Sequence, residues 1–157
     1  MAKKMDAFSA SLMADKREII FAPTVYKFDT FAAMAEEFKL NERDVVLTNE
    51  FIYKPFMEEL GLKCQFVFQE KFGAGEPSEE MIQTMYDAIP YDSYDRIIAV
   101  GGGAILDLCK LLGIKRPDTV HNLYFKRFPV VPEKDVIAIP TTCGTGSEVT
   151  NISVAIV

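Results

Sequence analysis

The chain has 157 residues, a net charge of −6 and a pI near 4.9, with hydrophobic residues at 49% and charged residues at 25%. At about 150 residues per domain this is one domain, able to bury roughly 70% of its unfolded surface without disulfides or a structural metal, which excludes global disorder and coiled coil. Basic residues cluster only in short pairs, such as Lys3-Lys4, Lys16-Arg17, Lys115-Arg116 and Lys126-Arg127, so the broad basic face that nucleic-acid binding draws on is missing.

Residues 1–18 read as a polar leader whose order the sequence leaves open, and residues 19–157 as one packed domain. Two extended pieces come first, at residues 19–22 and 25–28. Asp29 or Thr30 then caps a helix with Phe31, Met34, Ala35 and Phe38 on one face. Val45-Val46-Leu47 is a buried strand, and Asn49 is placed to cap a helix over residues 50–60, with Gly61 as its stop and Pro55 either opening it or kinking it. Residues 64–68 form the next strand, and Ser78 caps a helix that carries Met81, Ile82, Met85 and Ile89 on one side. A strand over residues 96–100 runs into Gly101-Gly102-Gly103 and a helix over 104–114. A loop with Pro117, Pro129 and Pro132 leads to a strand at 136–139, a turn at 140–147 and a final extended run at 151–157. Strands alternating with helices predict an α/β fold: a Rossmann-like, mostly parallel sheet with helices on both faces.

Three cysteines, Cys64, Cys109 and Cys143, stand far apart without metal-ligand spacing, which reads as reduced thiols in a cytoplasmic protein. No apolar run approaches the roughly 18 residues of a membrane span, so no membrane partner is expected. The run from Ile152 to Val157 would form a half-covered edge that invites association, and a homo-oligomer is expected.

Two loops carry chemistry. After the strand at 96–100, the glycines allow a tight turn and close approach of an anion, while the first N–H groups of the following helix point at it. A ligand-free strand-to-helix turn explains a lone glycine cluster equally well. The order is not that of GxGxxG, which follows the first strand and expects an acid about 20 residues on; here the glycines follow roughly the fourth or fifth strand, and residues 121–124 hold no acid. The second loop, Pro140 to Ser147, packs the hydroxyls of Thr141, Thr142, Thr145 and Ser147 with Gly144 and Gly146 after another apolar strand. Two such loops at neighbouring strand ends make a shared crevice.

The pair GGGAILD and PTTCGTGSEVT resembles the cofactor-binding half of the iron-containing (group III) alcohol dehydrogenases, whose patterns are close to GGGSxxD and PTTxGTGSEVT. The likeness runs from about Phe21 to Val157 and is marked toward members acting on short hydroxy acids. It implies a dehydroquinate synthase-like N-terminal domain, with NAD preferred over NADP. Gly101, Gly102, Gly103 and Ala104 would lie on the pyrophosphate, and Thr141, Thr142, Thr145 and Ser147 on the pyrophosphate and nicotinamide region, with Thr150 near the same pocket. Asn49 would lie near the adenosine ribose. Asp107 would lie on the nicotinamide and substrate side, unless it is a first-turn carboxylate answering the helix dipole. Ala104 replaces the family's serine, and Glu76 an asparagine. No catalytic or metal-ligating residue is expected within the chain: the helical domain whose aspartate and histidines hold the divalent metal, iron by the family's name, would lie beyond Val157, and the single histidine, His121, reads as a surface residue. The implied activity is hydride transfer between NAD and a short hydroxy acid or its aldehyde, by a whole enzyme of which these residues alone are inactive. A dehydroquinate synthase-like lyase, a glycerol dehydrogenase-like enzyme and a non-catalytic nucleotide-binding or structural fragment are the alternatives that the sequence leaves open.

Overall fold

The computed structural model describes residues 23–73 and 75–157; the leader and the extended piece expected at 19–22 fall outside the described residues. Four strands, β1 (Asp44–Thr48), β2 (Gln65–Phe68), β3 (Arg96–Gly101) and β4 (Asp135–Pro140), form one parallel sheet in the order β2-β1-β3-β4. Every residue of β1 is buried, as expected of a continuous apolar run covered on both faces. Val45 and Leu47 join Ile97 and Ala99 in the core on one face; Val46 joins Ile98 and Val100 on the other.

Helices cover both faces. On the first lie α3 (Glu79–Ala88), α4 (Gly103–Leu112) and α5 (Val120–Tyr124); on the second lie α1 (Phe31–Glu37) and α2 (Glu50–Phe56). Hydroxyl caps start three of them: Thr30 accepts from the Ala33 N–H, Ser78 from Met81 and Thr119 from Asn122. At the amino-terminal ends of the strands Arg96 donates twice to Asp44, at 2.8 Å, and once to the Phe38 carbonyl, tying α1, β1 and β3 together.

Several expectations are corrected. Residues 25–28 form no strand: Val25 and Tyr26 are exposed, and Tyr26 and Phe28 instead pack on Phe38 through their rings. Helix α2 stops at Phe56 rather than Leu60, because Pro55 lies in its last turn; a separate 3₁₀ turn, Glu58–Leu60, follows and ends on Gly61 at φ +58. Helix α4 ends at Leu112, not Ile114. The Pro-bounded loop after it contains α5, whose Val120 and Leu123 reach the core. The last run is a strap, not a strand of the sheet. It makes one parallel bridge, Ser78 to Ile156, and leaves Ile152, Val154 and Ile156 exposed. The glycine run follows the third described strand.

Candidate functional site

Because β1 leads outward to β2 on one side and the chain returns to β3 on the other, the sheet order reverses between β1 and β3. In open parallel sheets ligands bind outside the carboxyl ends of the strands at such a reversal. The ends meeting here are Thr48-Asn49 and Gly101-Gly102. They are joined by the buried Thr48 hydroxyl, which donates to the Val100 carbonyl at 2.8 Å.

Gly101 is required by packing, since a Cβ there would stand 2.6 Å from Ile105 Cδ1 and 2.9 Å from its Cβ. Gly102 occupies the N-cap of α4 in extended conformation and has no side chain with which to cap it. The first intrahelical donor is the Leu106 N–H, which reaches the Gly102 carbonyl at 3.1 Å, so the N–H groups of Gly103, Ala104 and Ile105 before it have no acceptor within the helix, at the start of a ten-residue helix whose dipole favours an anion. The missing serine hydroxyl at Ala104 removes a side-chain donor and leaves these backbone donors in place.

The hydroxyl loop comes directly onto this turn. The Thr141 N–H donates to the Gly101 carbonyl at 3.0 Å. A Cβ on Gly102 would stand 3.3 Å from Thr142 Oγ1, and one on Gly103 would stand 3.3 Å from the Thr145 methyl and 3.5 Å from Ser147 Oγ. Small residues at 102 and 103 therefore let two loops, 40 residues apart in sequence, close on each other. Thr141, Thr142 and Thr145 are exposed and Ser147 is half-buried, so this loop stays open to solvent beside the glycine turn.

Asn49 stands at the N-cap of α2, half-buried, but its side chain makes no capping bond, contrary to expectation. The Glu50 N–H donates instead to the Glu70 carboxylate at 3.1 Å, which brings an acid from the turn after β2 to the end of β1. Sequence reasoning missed Glu70, because no spacing rule links it to Asn49. Asp107 lies in the second turn of α4, not the first, so it does not answer the dipole at the helix start. Its oxygens accept from Lys110 Nζ at 2.9 Å and from the Val154 N–H at 3.1 Å, and Lys110 also donates to Thr150 Oγ1 at 3.3 Å. Glu148, in the turn after Ser147, has one buried oxygen without a partner.

Cys64 and Cys109 are buried, and burial pushes the Cys64 thiol up to about 11; Cys143 is exposed. His121 lies in α5, stacked on Phe125 and 3.7 Å from a Glu79 oxygen. Among the described residues no three His, Cys, Asp or Glu side chains gather where they could hold a metal. No helix among them is long and apolar enough to cross a membrane. Two shallow hollows lie away from the crevice, one beside α1 and one around Asp44 and Arg96.

A family profile described as iron-containing alcohol dehydrogenase matches residues 22–157. The chain belongs to the iron-containing alcohol dehydrogenase family. It is 52% identical over 134 residues to the 4-hydroxybutyrate dehydrogenase of Clostridium kluyveri, covering 85% of this chain and 36% of that protein. It is 39% identical over 118 residues to the probable alcohol dehydrogenase EutG of Salmonella typhimurium, covering 71% and 30%. The chain thus spans about a third of the length of these relatives. Its fold is that of part of an iron-containing alcohol dehydrogenase from Thermotoga maritima, at a TM-score of 0.62 and 23% identity, covering 85% of this chain and 40% of that one. A sulfoacetaldehyde reductase from Bifidobacterium kashiwanohense, solved in complex with NAD+, shares the fold at a TM-score of 0.58 and 18% identity, covering 82% and 39%.

Proposed function

We propose that this domain binds the dinucleotide of an NAD-dependent alcohol dehydrogenase acting on 4-hydroxybutyrate or another short hydroxy acid and its aldehyde. The observation that carries the cofactor reading is the meeting of the uncapped α4 N-terminus with Thr142, Thr145 and Ser147 across Gly102 and Gly103. Backbone N–H groups of residues 103–105 hold the pyrophosphate, and the hydroxyls of Thr141, Thr142, Thr145 and Ser147 orient the phosphates and the nicotinamide amide beside them. Asn49 is placed for the adenosine ribose. Glu50 and Glu70 beside it repel a 2′-phosphate, which favours NAD over NADP.

When bound, NAD supplies the hydride acceptor, and the protein's own part is orientation. The described residues do not fit an iron site, since no three candidate ligands gather among them; alcohol activation falls to groups that these residues do not supply, and the chain alone binds cofactor without turnover. The choice of substrate rests on the 52% identity to a 4-hydroxybutyrate dehydrogenase. A homo-oligomer is part of the same reading, from the exposed apolar side chains of Ile152, Val154 and Ile156.

Titration of the chain with NADH and NADPH, followed by nucleotide fluorescence and calorimetry, tests the proposal. Saturable NADH binding, tighter than NADPH, is expected. No binding of either would remove the cofactor reading, and tighter NADPH binding would reverse the role given to Glu70.

A further inference from the structure

We infer that Asp107 and Lys110 are positioning residues that hold the hydroxyl loop against the glycine turn. They do so by lacing the strap at residues 150–154 to the helix that carries the turn.

The two side chains are nearly buried, at 11% and 18% exposure, and they engage each other and the strap. An ammonium has three N–H donors. Lys110 directs them at Asp107 Oδ1, 2.9 Å away, at Thr150 Oγ1, 3.3 Å, and at the Ile152 carbonyl, 2.6 Å. The second Asp107 oxygen accepts the Val154 N–H at 3.1 Å. Further along, Ser153 Oγ meets the Tyr124 hydroxyl at 3.2 Å, and Ile156 exchanges backbone bonds with Pro77 and Glu79. Ile152, Val154 and Ile156 point their side chains outward, so along residues 150–154 polar lacing rather than burial of large side chains fixes the strap.

The loop that faces the glycine turn is therefore anchored at two ends. Its start is tied to Gly101 through the Thr141 N–H, and its end, at Thr150, to Lys110. Between the anchors Thr142 and Thr145 rest on Gly102 and Gly103. With the second anchor cut, the loop keeps its backbone tie at Thr141 and its packing on the glycine turn but loses the polar tie at its far end, so its hydroxyls are held less firmly relative to the α4 N–H groups. Both residues thus act through Thr150 and the strap, without touching the cofactor; in that last respect the inference rests on the dinucleotide reading above.

The test compares the full chain with Lys110→Met, Asp107→Asn and Val154→Pro, by residue-resolved amide exchange and by NADH titration. Val154→Pro removes the N–H that Asp107 accepts, at an exposed position, and keeps both charges, while also fixing φ at 154 and restricting Ser153. Exchange at residues 141–150 is expected to rise about tenfold or more while β1 and β3 keep their protection, and NADH affinity to fall about tenfold. Faster exchange confined to residues 151–156, with NADH affinity within about twofold of the parent, would overturn the positioning role. Loss of β1 and β3 protection in all three variants would also overturn it, because the pair would then hold the whole fold. A parent chain that binds no NADH defeats the dinucleotide reading alone; exchange at residues 141–150 still decides whether the pair positions the loop.

Discussion

The hydroxyl of Thr48 donates to the carbonyl of Val100, 2.8 Å away in a fully buried setting, and so joins the carboxyl ends of β1 and β3 where the sheet order reverses. The bond lies directly beneath Asn49 and Gly101, one from each side of the crevice. Thr48→Val keeps the shape and β-branching but removes the donor, leaving a buried carbonyl short of one partner. The expected cost is about 1 kcal/mol, read as a lower urea midpoint at unchanged slope, with Thr48→Ser close to the parent. A Thr48→Val midpoint equal to the parent's would show that the bond contributes nothing net.

The glycines at 101 and 103 have different tasks, and alanine separates them. At Gly101 the added Cβ meets the Ile105 side chain at 2.6 and 2.9 Å, including the Cβ fixed to the helix backbone. Overpacking of this kind costs roughly 1–3 kcal/mol, visible in thermal or urea unfolding. At Gly103 the nearest atom is the Thr145 methyl at 3.3 Å, on an exposed loop that can yield. Gly103→Ala is therefore expected to unfold within about 1 kcal/mol of the parent while NADH affinity falls about tenfold. Equal effects of both variants on stability and binding would erase the distinction.

Much of this was legible in the chain. Val45-Val46-Leu47 and Ile97 to Val100 had the unbroken apolar character of strands covered on both faces, and Ser78 announced its helix by a cap that the structure contains. Short-range signals failed where long-range contacts decide. The alternation at 151–157 reads as a strand, but its backbone groups are claimed by Asp107 and Lys110, 40 or more residues earlier, and so it lies as a strap. Residues 25–28 look extended and apolar; what they pack on is the ring of Phe38, with no strand beside them. The glycine and hydroxyl loops were each readable as motifs, whereas the approach of Thr142 to Gly102 depends on the register of β3 with β4, in which Gly101 pairs with Pro140. Glu70 was invisible for the same reason, since only the pairing of β1 with β2 brings it to Glu50.

Glu70 offers a charge test of cofactor choice. Its carboxylate sits on the first N–H of α2, beside Asn49 and Glu50, where the proposed dinucleotide reading has the adenosine ribose. Glu70→Lys replaces a repelling charge with an attracting one at an exposed site, so the fold is expected to remain intact. The ratio of NADPH to NADH affinity should rise about tenfold, equivalent to roughly 1.4 kcal/mol. An unchanged ratio at undiminished NADH affinity would place the 2′-hydroxyl elsewhere.

The tyrosines set an alkaline limit to stability. Tyr86 and Tyr94 donate their buried hydroxyls to the carbonyls of Leu111 and Leu112 at the end of α4. Burial pushes both phenols above their usual 10, against the pull of the Arg116 guanidinium beside them. Burial, then the neighbouring Glu133 carboxylate, takes Tyr91 up to about 12. A folded-state pKa above the unfolded one means that the fold holds the proton more tightly. This contribution is complete below pH 10 and is lost as pH rises through the folded values. Stability is expected to fall above about pH 10 and unfolding to be cooperative when it comes, with tyrosinate absorbance and far-ultraviolet dichroism changing together. Gradual ionisation of all tyrosines near pH 10 with the dichroism unchanged would show that these hydroxyls are not held as described. Tyr86→Phe should lower stability at neutral pH, by about 1 kcal/mol for the lost hydrogen bond, and should narrow the gap between neutral and alkaline stability, because one of the protons that the fold protects is gone.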